Sequence, residues 1–201
     1  GRKLIDFIFT QFPIDNITAE TDDEAVGFYK KCGFAVTPVG EFCDTKRYFC
    51  KLSSVSKHYD LLIKENNDPV RDPEPLLEYM DKWDGQAFIE KMKLDKGKTV
   101  LEIGIGTGRL AVRTAPNCRE FFGIDISQKT VKRAKENLKE QTNVALICGD
   151  FMSYEFGCKF DVIYSSLTFM HIRDKQAAIN KVRSLLNIGG RFVLSIDKNQ
   201  S

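Results

Sequence analysis

Residues 100–110 read VLEIGIGTGRL, and within them Glu102 stands two positions before Gly104, with Gly106 and Gly108 following in alternation. Glycine has no Cβ, so such a turn can bend sharply and bring bare backbone against a ligand. A helix opening behind it would offer its free N–H groups. Two more carboxylates close later apolar runs, Asp125 in FFGIDIS and Asp150 in ICGDF. Together these point to a nucleotide-like ligand. A phosphate-binding G-x-x-x-x-G-K-[ST] loop is absent. The dinucleotide pattern G-x-G-x-x-G is broken because Arg109 takes the place of its last glycine. Glu102 would also repel a pyrophosphate, whereas a cationic ligand would be drawn to it.

These residues need strand ends to hold them. From Lys98 onward, apolar runs rich in branched residues alternate with amphipathic stretches. TVLEI, FFGIDI, NVALICGD, FDVIYSSL and RFVLSID read as strands. A helix to about Ala115, SQKTVKRAKENLKEQ and KQAAINKVRSLL read as helices between them. Ser127 suits the N-cap of the middle one, with Val131, Ala134 and Leu138 as its buried stripe. This alternation predicts an α/β fold with a mostly parallel sheet wound on both faces. Ligands of such sheets sit at the carboxyl ends of the strands, where Glu102, Asp125 and Asp150 fall.

The first 52 residues follow another pattern. GRKLIDFIFTQF places Leu4, Ile5, Ile8 and Phe12 at helical spacing, with Pro13 as a stop. IDNITAE reads as a strand, TDDEAVGFYKKCGF as a helix closed by Gly33, and residues 34–52 as two strands around a turn near 40–45. SSVSKH, residues 53–58, reads as a linker. Residues 59–95, with prolines at 69, 73 and 75, read as a loop and one or two helices.

Composition is ordinary for a water-soluble domain: 42% hydrophobic, 29% charged, and a formal net charge of +2. That balance gives no strong case for nucleic-acid or membrane partners. The basic run from Lys129 to Lys139 is interleaved with Glu136 and Glu140 and reads as a solvated helix face. Six cysteines without a C-x-x-C pair, and only His58 and His171, make a zinc site unexpected and a reducing cytoplasm the expected compartment.

E-x-G-x-G-x-G after a strand resembles motif I of the class I S-adenosylmethionine-dependent methyltransferases, and the resemblance runs over residues 59–201. Their cofactor carries a sulfonium and an ammonium and no phosphate. The resemblance implies that Glu102, Gly104, Gly106 and Gly108 border this cofactor. It implies that Asp125 accepts from the ribose hydroxyls, which two carboxylate oxygens suit, with Ile126 against adenine. Asp150 would take the adenine amino group beside Phe151, and Ser165 with Ser166 would lie near the methionyl portion. Tyr59 resembles the aromatic of a lid over the cofactor. His171, in TFMHIRD, falls where the family places acceptor-side residues, and its ordinary pKa suits a base. SSLT stands where an Asn-Pro-Pro-Tyr motif would mark nucleic-acid amine substrates, so a small-molecule acceptor is expected.

AETDDEAVGFYKKCGF resembles the end of the GNAT-type acetyltransferases. By that likeness Tyr29 matches the general acid for the coenzyme A thiolate. The family's pyrophosphate loop has no counterpart here beyond Gly1 and Arg2, so acetyl-CoA is not expected to bind and this half-domain is expected to be silent. The expected organisation is a small α+β GNAT-like segment (1–52), a linker (53–58), and a Rossmann-like methyltransferase domain (59–201) without its last two strands. That outline suggests an excised piece of a bifunctional protein, or a second copy completing the sheet edges. Two other readings stand beside it, a nucleotide-dependent oxidoreductase and a non-catalytic cofactor- or partner-binding module.

Overall fold

The computed structural model describes residues 2–12 and 14–195. Pro13, expected as a helix stop, and Ile196 and Asp197, expected to continue the last strand, lie outside the described residues. Helix α1 (Arg2–Gln11) and α2 (Val26–Lys31) flank an antiparallel sheet of β1 (Asn16–Asp22), β2 (Ala35–Phe42) and β3 (Thr45–Ser53), in the order β1-β3-β2. The apolar stripe of α1 differs from the expected one. Ile5 and Phe9 pack on buried Phe34, Cys50 and Leu52, whereas Leu4 and Phe12 are exposed. Gly33 ends α2 with φ +90°, a conformation that suits glycine.

Residues 53–58 do not form an irregular linker: Ser53 closes β3 and residues 54–58 are helical. The Ser53 hydroxyl accepts the Ser56 amide at 2.9 Å and caps α3 (Ser54–Lys64), so β3 passes directly into a helix. A small polar run is the composition of a linker and equally that of a helix start. The chain continues through α4 (Glu74–Asp84) and α5 (Gln86–Met92).

The second sheet contains β4 (Thr99–Ile103), β5 (Glu120–Asp125), β6 (Val144–Cys148), β7 (Phe160–Ser166) and β8 (Leu186–Ser195). Their order is β6-β5-β4-β7-β8, and each neighbouring pair is parallel. Between them lie α6 (Ala111–Thr114), α7 (Gln128–Asn137) and α8 (Lys175–Leu185). Central β4 is buried along its whole length. Val100 faces a core with Met92, Ala111, Phe121 and Leu138, while Leu101 and Ile103 face another with Phe160, Ala178 and Val182. Helices therefore cover both faces, as the near-continuous apolar strands require. Strand succession runs outward from β4 to β6 and then crosses to β7, which places the topological switch at β4. No helix among the described residues is long and apolar enough to cross a membrane.

Candidate active site

The turn after β4 depends on three glycines with positive φ: Gly104 at +76°, Gly106 at +58° and Gly108 at +94°. At Gly104 the demand is also steric, because a Cβ there would stand 2.0 Å from Thr168 Oγ1. The Gly104 and Ile105 amides donate to the Ile124 carbonyl, which ties the turn to the end of β5. Asp125 reinforces that link. Its Oδ2 accepts the Gly106 amide at 3.0 Å, and its Oδ1 accepts the Ser127 amide at 2.9 Å at the start of α7. Burial raises the Asp125 pKa, the two amide bonds oppose the rise, and the charge of Asp60 adds to it.

These strand ends open onto a cavity of about 970 Å³. Glu102, Gly104, Gly106, Asp125, Ile126, Asp150, Phe151, Tyr59 and His171 all line it. Gly108 does not line the cavity; it packs against Leu138 and lets the backbone turn. The Ser165 side chain turns away from the cavity. It is fully buried, its hydroxyl donates to the Ile103 carbonyl at 2.8 Å, and its neighbour Ser166 lines the cavity instead. Strand alternation separates the two. Tyr29 lies apart from the others, packed edge-on between Phe28 and Phe34 in the amino-terminal core.

Glu102 is 3% exposed and accepts the Tyr164 hydroxyl at 2.9 Å. Burial pushes its pKa up to about 8, with Asp84 and Asp125 adding to the rise and the Tyr164 bond and Arg109 opposing it. A neutral acid at this point becomes a carboxylate when a cation is placed beside it. Asp84, on α4, joins this group without having stood out by its residue type or spacing. It is fully buried, its Oδ2 accepts from both Arg109 and Ser166, and its Oδ1 has no hydrogen-bond partner among the described residues. The sequence gives little sign of this role beyond a charge just ahead of Gly85 at a helix end.

Tyr59 and His171 meet at the rim. The Tyr59 hydroxyl lies 3.1 Å from His171 Nε2, and the rings stand edge to face. Burial and the charge of Asp125 raise the tyrosine pKa, so its hydroxyl stays protonated and donates in the tautomer whose Nε2 carries no proton. Burial and the nearby His58 lower the His171 pKa, so its ring is neutral at pH 7 and able to accept a proton. At the other end Asp150 Oδ1 accepts the Met152 amide at 3.0 Å, and Oδ2 pairs with Lys51 Nζ at 2.6 Å.

A family model described as a methyltransferase domain matches residues 94–199. An uncharacterized methyltransferase of Bacillus cereus is 38% identical over 98 residues, covering 48% of this chain and 45% of that protein. The chain spans about half the length of the curated relatives it matches. Among solved structures, the N-methyltransferase NodS of Bradyrhizobium japonicum, in complex with S-adenosyl-L-homocysteine, is similar at 20% identity. That match has a TM-score of 0.54 over 68% of this chain and 71% of NodS. The [4+2]-cyclase SpnF is similar at 24% identity, with a TM-score of 0.59 over 70% of this chain and 58% of SpnF. The fold thus also occurs in a protein described as a cyclase, and activity has to be argued from the site.

Proposed function

This chain belongs to the methyltransferase-domain family, and from that premise we propose that it uses S-adenosylmethionine to methylate a small-molecule acceptor. The observation that carries the reading is the set of carboxylates at three successive strand ends, Glu102, Asp125 and Asp150, around one cavity. The local chemistry fits that group. Glu102 and Asp84 stand against a single guanidinium, Arg109, and Asp84 Oδ1 is buried without a partner among the described residues. Such a surplus of carboxyl groups suits a sulfonium and an ammonium better than a phosphate. The missing Cβ at Gly104 makes room for Thr168, while Gly106, with nothing within 4 Å of where a Cβ would stand, presents bare backbone to the cavity.

In this reading Asp125 holds the ribose hydroxyls, Ile126 and Phe151 flank the adenine, and Gly104 with Ser166 borders the methionyl portion. When bound, the cofactor supplies an electrophilic methyl group whose leaving group is a neutral thioether. The protein's work is then orientation and exclusion of water. His171 Nε2 takes the proton that an N–H or O–H acceptor must lose, and Tyr59 holds the imidazole with that nitrogen as acceptor until the substrate replaces it. A cavity of about 970 Å³ lies at the upper end of the ~300–1,000 Å³ range of ligand sites, which supports a cofactor together with a small acceptor. The amino-terminal antiparallel sheet supports an acetyltransferase-like half-domain in which Tyr29 serves packing.

Calorimetric titration with S-adenosylmethionine and S-adenosylhomocysteine tests the assignment. The expected result is one-site binding that Asp125→Ala weakens by about 1–3 kcal/mol, the cost of unpairing buried hydroxyls. Equal affinity in the variant refutes the ribose contact, and the absence of heat with both compounds refutes the assignment.

A further inference from the structure

The cavity has a wall that the methyltransferase sheet does not provide. Asn16, Lys51 and Ser53 of the amino-terminal sheet, with Ser54 and Val55 at the start of α3, line it opposite the strand ends. Lys51 is held firmly in place. It sits on the central strand β3, paired with Thr18 of β1 on one side and Ala35 of β2 on the other. Its neighbours Cys50 and Leu52 are buried in the amino-terminal core. Alternation along the strand therefore sends Lys51 to the opposite face, where its ammonium meets Asp150 at 2.6 Å. Contacts between the two parts fix that approach. Arg173 pairs with Asp15, the Ser56 hydroxyl donates to the Ile126 carbonyl at 3.3 Å, and Asp60 accepts the Ser127 hydroxyl at 2.7 Å.

We propose that Lys51 and Asp150 together read the edge of the adenine ring, so that the amino-terminal sheet contributes a specificity-determining residue to the cofactor site. The inference rests on the cofactor reading above. An adenine edge presents an amino donor next to a ring-nitrogen acceptor. A carboxylate beside an ammonium presents the complementary acceptor and donor. Asp150 Oδ2 has a second lone pair for the amino group while Lys51 remains bound to it. The ammonium has three N–H bonds; one goes to Asp150, and another can reach the ring nitrogen. Lys51 neutralises Asp150 as well, so the adenine meets a paired carboxylate and not a bare charge.

The experiment is calorimetry of wild type and Lys51→Met with S-adenosylhomocysteine and with its 1-deaza and 7-deaza analogues, which lack one ring-nitrogen acceptor each. Methionine keeps the length of the stem without the charge; Lys51→Gln replaces it if Lys51→Met fails to fold. The proposal expects Lys51→Met to bind the parent compound on the order of tenfold more weakly, as loss of a charged hydrogen bond implies. It also expects one deaza analogue to lose several-fold affinity in wild type and little further in the variant. Equal or tighter binding by the variant, or the same deaza penalty in both proteins, overturns the role of Lys51. Failure of wild type to bind S-adenosylhomocysteine overturns the cofactor reading itself, which separates the two.

Discussion

Binding of S-adenosylmethionine is expected to release a proton from Glu102. This carboxyl is buried beside Asp84 and Asp125, and its pKa in the free protein is about 8. At pH 7 about nine in ten molecules then hold it protonated. A cation placed against it favours the ionised form, so binding at pH 7 releases most of a proton. Ionising the group at pH 7 opposes binding by roughly 1 kcal/mol. Affinity should therefore rise close to tenfold between pH 6 and pH 7 and level off near pH 8. Calorimetry at pH 7 in buffers of different ionisation enthalpy reads the proton count directly, because the observed enthalpy scales with it. Glu102→Gln should abolish both the buffer dependence and the pH slope. Buffer-independent enthalpies with a flat affinity from pH 6 to pH 7.5 would refute the reasoning, since they would mean that no cation reaches Glu102.

Four further expectations follow from the same geometry. In the unliganded protein Glu102 is stabilising while it is protonated in both folded and unfolded chains, and that contribution is lost as pH rises from about 4.5 to about 8; Glu102→Gln should gain on wild type by up to about 1.4 kcal/mol per pH unit across that window in urea unfolding. Arg109→Ala removes the ion-pair partner of the buried Asp84 and should lower stability by about 3–5 kcal/mol, whereas a loss below 1 kcal/mol would show the pair to be solvated. Gly104→Ala combines a left-handed backbone with a contact of 2.0 Å to Thr168 and should lose at least about 1–2 kcal/mol from the backbone alone, read as a drop in the thermal midpoint. For His171, whose pKa lies below its ordinary value, the methylation rate with a proton-bearing acceptor should rise with pH through a midpoint below ~6.5 and then stay flat; His171→Ala should remove that step, and an unchanged profile would exclude it as the base.

The strand–helix alternation after Lys98 was legible because buried parallel strands must be apolar on both faces, and β4 is a run of five buried residues. The glycine turn was legible for a local reason as well, since positive φ and close approach leave their mark on residue type. Long-range partners left no such mark. Asp84 reaches Ser166 across 82 positions and Lys51 reaches Asp150 across 99, and neither side chain differs in type from a surface charge. Ser165 and Ser166 are of the same type, so only the phase of β7 in the folded sheet decides which side chain meets the cavity. Residues 53–58 show a nearer limit: Ser53 suits an N-cap, but the small polar composition of the run suits a linker equally well.

The central claim is that a cationic nucleoside lies across the carboxyl ends of β4 and β5. A crystal structure of the protein grown with S-adenosylhomocysteine tests it most directly. The account predicts the ribose hydroxyls within hydrogen-bond distance of Asp125 and the amino-acid end of the ligand at the Gly104 turn beside Glu102. Electron density for the ligand elsewhere on the protein, or an empty crevice at a concentration that saturates binding in solution, would contradict it.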